Sequence, residues 1–232
     1  MKIQIHTLIW PNSNLRLLKL HKEVFNHYNI SVNYTIEKID HGKWMNSIIN
    51  TKDCDGVIFC DIDCIPLNKE CIFETFKFIE KNYLIGPAQV TNCIKAKHDY
   101  FCAPSFLGIS KKYYESIDSP SFENNSSCDI AQQITRNAVK KEKKIKMWFP
   151  TSFQSVPSGG IWRCSGYGYY GIGTIFSDKI YHLFQSRFDK NIDLFENTVN
   201  HVLNNNHHLI QKNYISTDEH EGNLPIEDNY GL

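Results

Sequence analysis

The sequence predicts a mixed α/β fold with a mostly parallel central sheet flanked by helices. Strand-like and helix-like patterns alternate through roughly the first 90 residues, as they do in chains built from β-α-β units. The run GVIF at 56–59 is apolar at every position, which is typical of a strand inside a parallel sheet. A length of 232 residues suits one substantial core, so we expect a single domain over residues 1–232.

Each element of the first part follows from its hydrophobic period and its flanking residues. Alternation and β-branched residues indicate strands, apolar residues at helical spacing indicate helices, and Pro11 and Pro66 end strands. Asn68 is expected to cap the helix that it precedes. The predicted elements are a strand over 2–9, a helix over 14–28, a strand over 30–37, a turn at 40–42, a helix over 43–50, a strand over 55–63, a helix over 68–82 and a strand over 83–90.

The second part of the chain has weaker patterns and predicts a smaller, more irregular region. We expect a loop over 89–110, a helix over 129–144 that begins at Asp129, and short strands and loops in the glycine- and tyrosine-rich stretch 159–176. A weaker helix is predicted over 195–205, and the polar stretch after Tyr214 is expected to lie on the surface or to fray.

Composition and charge disfavour several classes of protein. The formal net charge is zero, so no overall field attracts nucleic acid or an anionic membrane, and the basic run 140–146 is explained as well by a solvated helix end. No apolar stretch is long enough for a membrane span, and the one near the N-terminus is too short for a signal peptide, so neither feature is expected. The eight cysteines form no CxxC pair and are interpreted as reduced and structural. Together these features predict a cytoplasmic protein.

Two carboxylates, Asp61 and Asp63, follow the apolar run of the third predicted strand. Ligands of open parallel sheets bind beyond the carboxyl ends of the strands. Residues two apart on an extended segment point the same way, so both carboxylates can face one cation. Mg²⁺ and Mn²⁺ take carboxylate oxygens and bridge to phosphate oxygens. The alternative is that these acids only cap the following turn or helix.

The apolar strand, the DxD sequence and the proline after it resemble the nucleotide-sugar site of glycosyltransferases with the GT-A fold. More narrowly, DHGKWMNSIINTKDCDGVIFCDIDCIPLN is similar to small GT-A-like proteins of phages and bacteria, in which an HG turn precedes the DIDxxPL strand. The segment 171–187, with YHLFQSR, is similar to the late GT-A segment that returns a histidine to the metal. This resemblance implies a Rossmann-type sheet, a nucleotide-sugar-binding half over 1–90, an acceptor-side half over 91–213 and a tail over 214–232.

The resemblance also implies roles for particular residues. Asp61, Asp63 and His182 would hold Mn²⁺ or Mg²⁺, and the metal would bind the donor diphosphate. Arg187 would add a guanidinium to the diphosphate, unless it forms a surface ion pair. His41 would contact the base or ribose, with Gly42 allowing close backbone approach, although His41 is explained almost as well as a helix-entry residue.

The general base of an inverting enzyme is assigned to Asp129 on the same resemblance, with Glu123 and Asp118 as reserves. A carboxylate at that position is equally expected as a helix cap.

The predicted function is therefore transfer of a sugar from a nucleoside-diphosphate sugar, with a UDP-sugar favoured, to an acceptor hydroxyl. A surface glycan, a protein side chain and a modified base in DNA all stay open as acceptors. Two alternatives are a sugar-phosphate nucleotidyltransferase and a non-catalytic module descended from an enzyme. The nucleotidyltransferase is disfavoured because WPNSNLR stands where those enzymes usually carry a glycine-rich loop after the first strand. The absence of GxxxxGK[ST] and GxGxxG disfavours P-loop NTPases and dinucleotide-binding dehydrogenases.

Overall fold

The structure, a computed structural model, describes residues 1–51, 53–91, 99–154, 161–164 and 169–216. The elements of the first part are β1 (Ile3–Ile9), α1 (Leu15–His27), β2 (Val32–Ile36), α2 (His41–Ile49), β3 (Gly56–Cys60), β4 (Cys64–Pro66), α3 (Lys69–Glu80) and β5 (Leu84–Val90). Except around β3 and β4, their ends agree with the prediction to within two residues. Asn68 caps α3 as predicted, since its side chain accepts a hydrogen bond from the Cys71 amide.

The later elements are β6 (Tyr100–Cys102), β7 (Phe106–Ser110), α4 (Lys111–Ser116), α5 (Gln132–Lys140), β8 (Ile145–Trp148), β9 (Pro150–Gln154), β10 (Ile161–Arg163), β11 (Tyr169–Gly171), β12 (Gly173–Phe176), β13 (Ile180–Leu183), α6 (Asp189–Leu203), a 3-10 helix (His207–Asn213) and β14 (Tyr214–Ser216). None of the helices among the described residues combines the length and hydrophobicity that a transmembrane span requires.

The central sheet has seven strands in the order β2-β1-β3-β7-β5-β6, and β8 pairs with β5. β1 is parallel to β2 and β3, while β7 lies antiparallel between β3 and β5. β5 is parallel to β8 and antiparallel to β6. Five strands therefore point one way and β6 and β7 the other, which confirms the predicted α/β class with a mostly parallel sheet flanked by helices.

The core lies on both faces of this sheet. Ile58 and Cys60 of β3 pack with α1, α3 and α6, whereas Val57 and Phe59 pack with α2, α4 and α5. Every residue of β3 is buried, as expected for a strand covered on both sides. The seven cysteines among the described residues are free and buried.

A second sheet has five antiparallel strands in the order β14-β9-β12-β13-β4. Four of them come from the region predicted to be irregular, and β4 comes from the first part of the chain. The strands of this sheet are short, and those in the middle mix apolar residues with Thr174 and His182 although all their positions are buried. β12 lies in the stretch 159–176, where short strands were expected, and β13 forms from the strand-like run KIYHLF at 179–184. Their assembly into one sheet with β4, β9 and β14 was not predicted, because polarity does not alternate along these strands.

Other predictions for the second part were wrong. The expected loop 89–110 contains β6 and β7, and β7 has no polar alternation because it is buried on both faces. α5 begins at Gln132 and not at Asp129, because Ala131 has a left-handed backbone (φ 64°), and it ends at Lys140. α6 begins at Asp189, six residues before the predicted start at residue 195. The DxD segment is not extended either: it forms a turn between β3 and β4.

Candidate metal centre

The turn that carries Asp61 and Asp63 begins where β3 leaves the central sheet. The Asp61 amide donates to the Ser105 carbonyl (3.0 Å), and the Cys64 amide donates back to the Asp61 carbonyl (3.0 Å). The chain then enters the second sheet as β4. The two carboxylates therefore converge because the backbone turns between them. The extended geometry expected from the sequence is wrong, and Ile62, which lies between the two acids, lines the same cleft.

His182 reaches this turn through the pairing of β13 with β4. His182 stands opposite Cys64 in the ladder, and the Leu183 amide donates to the Asp63 carbonyl (2.9 Å). Asp61, Asp63 and His182 each offer one ligand atom, and these atoms all lie within 4.8 Å of one another. The cluster thus joins the carboxyl end of a central strand to the second sheet.

Further side chains hold the carboxylates. Ser186 donates a hydrogen bond of 2.6 Å from Oγ to Asp63 Oδ2. The His182 Nε2 atom lies 3.5 Å from Asp63 Oδ1, and the His41 Nε2 atom lies 3.5 Å from Asp61 Oδ1. His41 and His182 are largely buried, with 15% and 9% of their side chains exposed.

The donor set fits a divalent cation. The His182 Nδ1 and His41 Nε2 atoms are buried, and neither has a hydrogen-bond partner among the described residues. Buried imidazole nitrogens without partners are costly unless a ligand satisfies them. Two carboxylates and a neutral imidazole are ligands that Mn²⁺ accepts, whereas Mg²⁺ prefers oxygen alone. The cluster is able to hold a metal, and the chain residues that would do so are Asp61, Asp63 and His182.

The surroundings push the pKa values of the two carboxyl groups apart. Burial raises the pKa of Asp61, and the negative charge of Asp63 adds to this effect, while His41 and His182 oppose it. Burial alone would also raise the pKa of Asp63. The hydrogen bond and charge of His182, together with the Ser186 hydrogen bond, outweigh burial, so the pKa of Asp63 is lowered.

An open cleft of about 200 Å³ leads to the carboxylates. It is lined by Leu8, Trp10, Ser13, His41, Asp61, Ile62, Asp63 and Ser186. The Trp10 indole is 48% exposed, and its Nε1 donates to the Ile39 carbonyl (2.9 Å), which fixes the ring at the rim. Trp10, Ser13 and Ser186 were not predicted as site residues, and only the position of Trp10 directly after the first strand would have indicated a place at this edge.

His41 and Gly42 belong to the first turn of α2 and do not form a separate turn before it. The Asp40 side chain caps the helix by accepting from the Lys43 amide (3.1 Å). The backbone at Gly42 approaches another part of the protein and not the cleft. A Cβ at this position would lie 2.5 Å from the Cα of Glu123. His41 faces Asp61 in the cleft, as the distance between them shows.

Asp129 and Arg187 lie in two different turns. Asp129 lies in the turn before α5, where it accepts hydrogen bonds from the Ile130 amide (2.8 Å) and from the Thr91 hydroxyl (3.3 Å) just beyond β5. Arg187 is exposed in the turn after β13, with its guanidinium 5.2 Å from the centre of the Phe188 ring.

The two reserve acids differ in position. Glu123 adjoins Gly42 and accepts a hydrogen bond from Asn46 (3.2 Å), close to the cleft. Asp118 pairs with Lys141 (2.8 Å) near the start of β8, which lies at the opposite edge of the sheet. The predicted loop residues 92–98, the turn at Gly159 and Gly160, and the tail beyond residue 216 lie outside the described residues.

Comparison with known proteins gives structural matches only. No family model matches the sequence, and no curated protein matches it. Among solved structures, A197 from STIV is 13% identical with a TM-score of 0.44, over 79% of this chain and 94% of that one.

Two other matches are sugar-nucleotide enzymes by name. The Drosophila β1,4-galactosyltransferase 7, solved with manganese, UDP-Gal and xylobiose, is 12% identical over 62% of this chain and 64% of its own, with a TM-score of 0.42. A putative nucleotide-diphospho-sugar transferase from Desulfovibrio desulfuricans is 10% identical over 64% of this chain and 80% of its own, also with a TM-score of 0.42. The alignment takes in less than two thirds of the Drosophila chain. TM-scores below 0.5 are too low to assign a function, so the site is interpreted from its own residues.

Proposed function

We propose that this protein is a metal-dependent glycosyltransferase that moves a sugar from a nucleoside-diphosphate sugar to an acceptor hydroxyl. The observation that carries the proposal is the convergence of Asp61, Asp63 and His182 at the carboxyl end of β3, facing an open cleft. The position agrees with the rule that ligands of such sheets bind beyond the strand ends. The resemblance of the DxD segment and of YHLFQSR to GT-A glycosyltransferases supports the same reaction.

The metal, Mn²⁺ or Mg²⁺, would supply charge neutralisation for the diphosphate leaving group. Asp61, Asp63 and His182 would hold it, and Ser186 and His41 would orient the two carboxylates. Arg187 would contact the diphosphate from the exposed turn after β13. His41 and Trp10 border the part of the cleft that would take the nucleoside, with UDP as the first nucleotide to test. Gly42 would act indirectly, since it lets α2 approach residues 122–123 and so positions His41.

Asp129 is our candidate for the general base of an inverting reaction. In that step the acceptor oxygen bonds to the anomeric carbon, and its proton passes to the Asp129 carboxylate. The bond from the anomeric carbon to the diphosphate oxygen breaks, and its electron pair leaves with the diphosphate. Asp129 lies next to Thr91, beyond the same end of the sheet as Asp61.

Calorimetry with UDP, GDP, ADP and CDP, in Mn²⁺ and then in EDTA, tests the proposal. We expect one nucleotide to bind in Mn²⁺ and to lose its binding under chelation, because the chain has no phosphate loop of its own. Asp63→Asn should remove this binding while keeping an acceptor for Ser186, and Asp53→Asn, an exposed acid before β3, is the matched control. Equal affinity with and without metal would contradict the proposal. Release of pyrophosphate from a nucleoside triphosphate and a sugar phosphate would favour the nucleotidyltransferase alternative.

A further inference from the structure

A second groove, of about 590 Å³, lies beside the metal cleft. It is lined by Trp162, Phe184, Gln185, Ser186 and Arg187. Ser186 lines both this groove and the cleft that contains Asp61 and Asp63. A ligand in the groove would therefore lie directly next to a diphosphate bound at the metal cluster.

One wall of the groove is aromatic and continuous with the metal cluster. Trp162 is stacked on Tyr170, with ring centres 5.4 Å apart and planes at 24°, and Phe184 contacts both rings at 5.5 and 5.2 Å. Phe184 also packs against the His182 ring at 4.1 Å. The Tyr170 hydroxyl donates to the Val90 carbonyl (3.3 Å), which anchors the wall to the central sheet. The wall is thus a fixed apolar surface that begins at a metal ligand.

The groove is also lined by polar residues. Gln185 has a left-handed backbone (φ 55°), and its carbonyl accepts a hydrogen bond from Asn191 (3.1 Å), which holds the turn 184–187 in shape. Gln185, Ser186 and Arg187 line the groove together with the aromatic residues Trp162 and Phe184. An apolar face next to hydrogen-bonding groups matches a molecule that has both carbon–hydrogen faces and hydroxyl groups.

The charges around the groove disfavour a polyanion. Arg187 is the one charged residue among its described lining residues. The flank formed by the start of α6 carries Asp189, Asp193 and Glu196, and Lys190 is the one basic residue in the stretch 188–196. Asp193 and Glu196 are already paired with Arg16. A nucleic acid strand would need several cations for its phosphates, and this flank does not provide them.

We propose that this groove is the acceptor subsite and that it takes a neutral pyranose sugar, packed on Trp162 and Phe184. The inference rests on the proposed function and deepens it, since it chooses a carbohydrate acceptor over a base in a nucleic acid. The sugar ring lies on the indole face, its hydroxyls bond to Gln185 and Ser186, and the reacting hydroxyl points toward the diphosphate side of Ser186.

Saturation-transfer NMR on the full chain tests this assignment, with UDP and the diamagnetic Mg²⁺ present, since paramagnetic Mn²⁺ would broaden the ligand signals. The probes are cellobiose, lactose, xylobiose and chitobiose, with a short oligothymidylate as the nucleic-acid arm. We expect at least one disaccharide to receive saturation on its ring protons. Trp162→Ala should weaken that binding about tenfold, as loss of a stacking surface does. Trp162→Phe should keep most of it, and Phe73→Ala, which removes an exposed aromatic ring on α3, should leave it unchanged.

Two outcomes would overturn the inference. One is a protein that binds UDP with Mn²⁺ but gives no response with any of the disaccharides. The other is binding of the oligothymidylate that is lost in Trp162→Ala, which would show that the groove binds nucleobases by stacking. Failure of the wild-type protein to bind any nucleotide with metal would instead contradict the proposed function, so the two failures are distinguishable. UDP binding by Trp162→Ala serves as the check that this variant is folded.

Discussion

Ser186 and Asp63 are 123 residues apart in the chain and are joined by a hydrogen bond of 2.6 Å. The bond fixes one oxygen of the carboxylate and leaves the other beside His182. Hydrogen bonds to metal-ligating carboxylates orient them and raise metal affinity. The turn after β13 therefore contributes to the candidate metal cluster through a residue that is not among the three proposed ligands.

Ser186→Ala is expected to weaken Mn²⁺ binding about 10-fold, because Asp63 loses the donor that orients it. Ser186→Thr keeps the hydroxyl and should retain most of the affinity. Calorimetric titration with Mn²⁺ measures the effect, and Ser177→Ala, at a half-buried serine in the turn between β12 and β13, is the control. Unchanged Mn²⁺ affinity in Ser186→Ala would show that Asp63 is held without this bond.

Asp129→Asn is expected to lower the turnover number by about 10²- to 10⁴-fold while nucleotide binding persists. Asparagine can still accept from the Ile130 amide and the Thr91 hydroxyl, so the turn before α5 should survive. Turnover is measured as release of the nucleoside diphosphate, with Asp118→Asn at the opposite edge as control. A turnover number equal to that of the wild type would restrict Asp129 to a structural role and leave the base elsewhere.

Gly42→Ala is expected to destabilise the fold by about 1–3 kcal/mol, because the added methyl would meet the backbone of Glu123. Helix propensity alone predicts the opposite sign, since alanine is favoured over glycine by about 1 kcal/mol within a helix. Urea unfolding gives the free energy, and Lys43→Ala in the same helix turn is the comparison. A more stable Gly42→Ala variant would mean that residues 122–123 yield to the methyl group.

The buried His21 side chain is expected to lower the free energy of unfolding in acid. Burial lowers its pKa from 6.5 to about 3, and its ring lies between the Tyr34 hydroxyl (3.0 Å) and the Cys60 thiol (3.5 Å). Between these two pH values the histidine is protonated in the unfolded chain but neutral in the folded protein. The contribution of His21 to the free energy of unfolding is therefore complete above pH 6.5 and declines as the pH falls toward 3. Lowering the pH from about 7 to about 5 should therefore cost about 2 kcal/mol of unfolding free energy from this residue.

Urea unfolding at several pH values measures this change. His21→Gln should be less stable at neutral pH but should show a shallower decline, because the titrating group is gone. His208→Gln, an exposed histidine, should follow the wild-type profile. NMR titration of the His21 ring gives an independent reading, and a midpoint near 6.5 would contradict the assignment.

The sequence predicts the elements up to residue 90 well because their hydrophobic periods and capping residues are local signals. Asp61 and Asp63 are recognisable for the same reason: they follow an apolar run directly. The turn that brings them together is not visible, since it depends on β4 pairing with β13 more than a hundred residues later. His182 was predicted from a resemblance together with the strand-like run KIYHLF at 179–184. Ser186 carries no pattern at all, because its place depends on how the two sheets meet, and Trp10 offers only its position directly after the first strand.

The position of β7 between β3 and β5 has a consequence for synthesis on the ribosome. β5 joins the sheet through β7, and no pairing connects β3 directly to β5. In a nascent chain that ends near residue 90, β5 therefore has no strand to pair with. β3 keeps an unpaired edge until residues 106–110 emerge. His182 emerges later still. We therefore expect this chain to complete its folding late in synthesis. The residues of the acidic turn are synthesised early, but His182 can join them only after most of the remaining polypeptide has emerged.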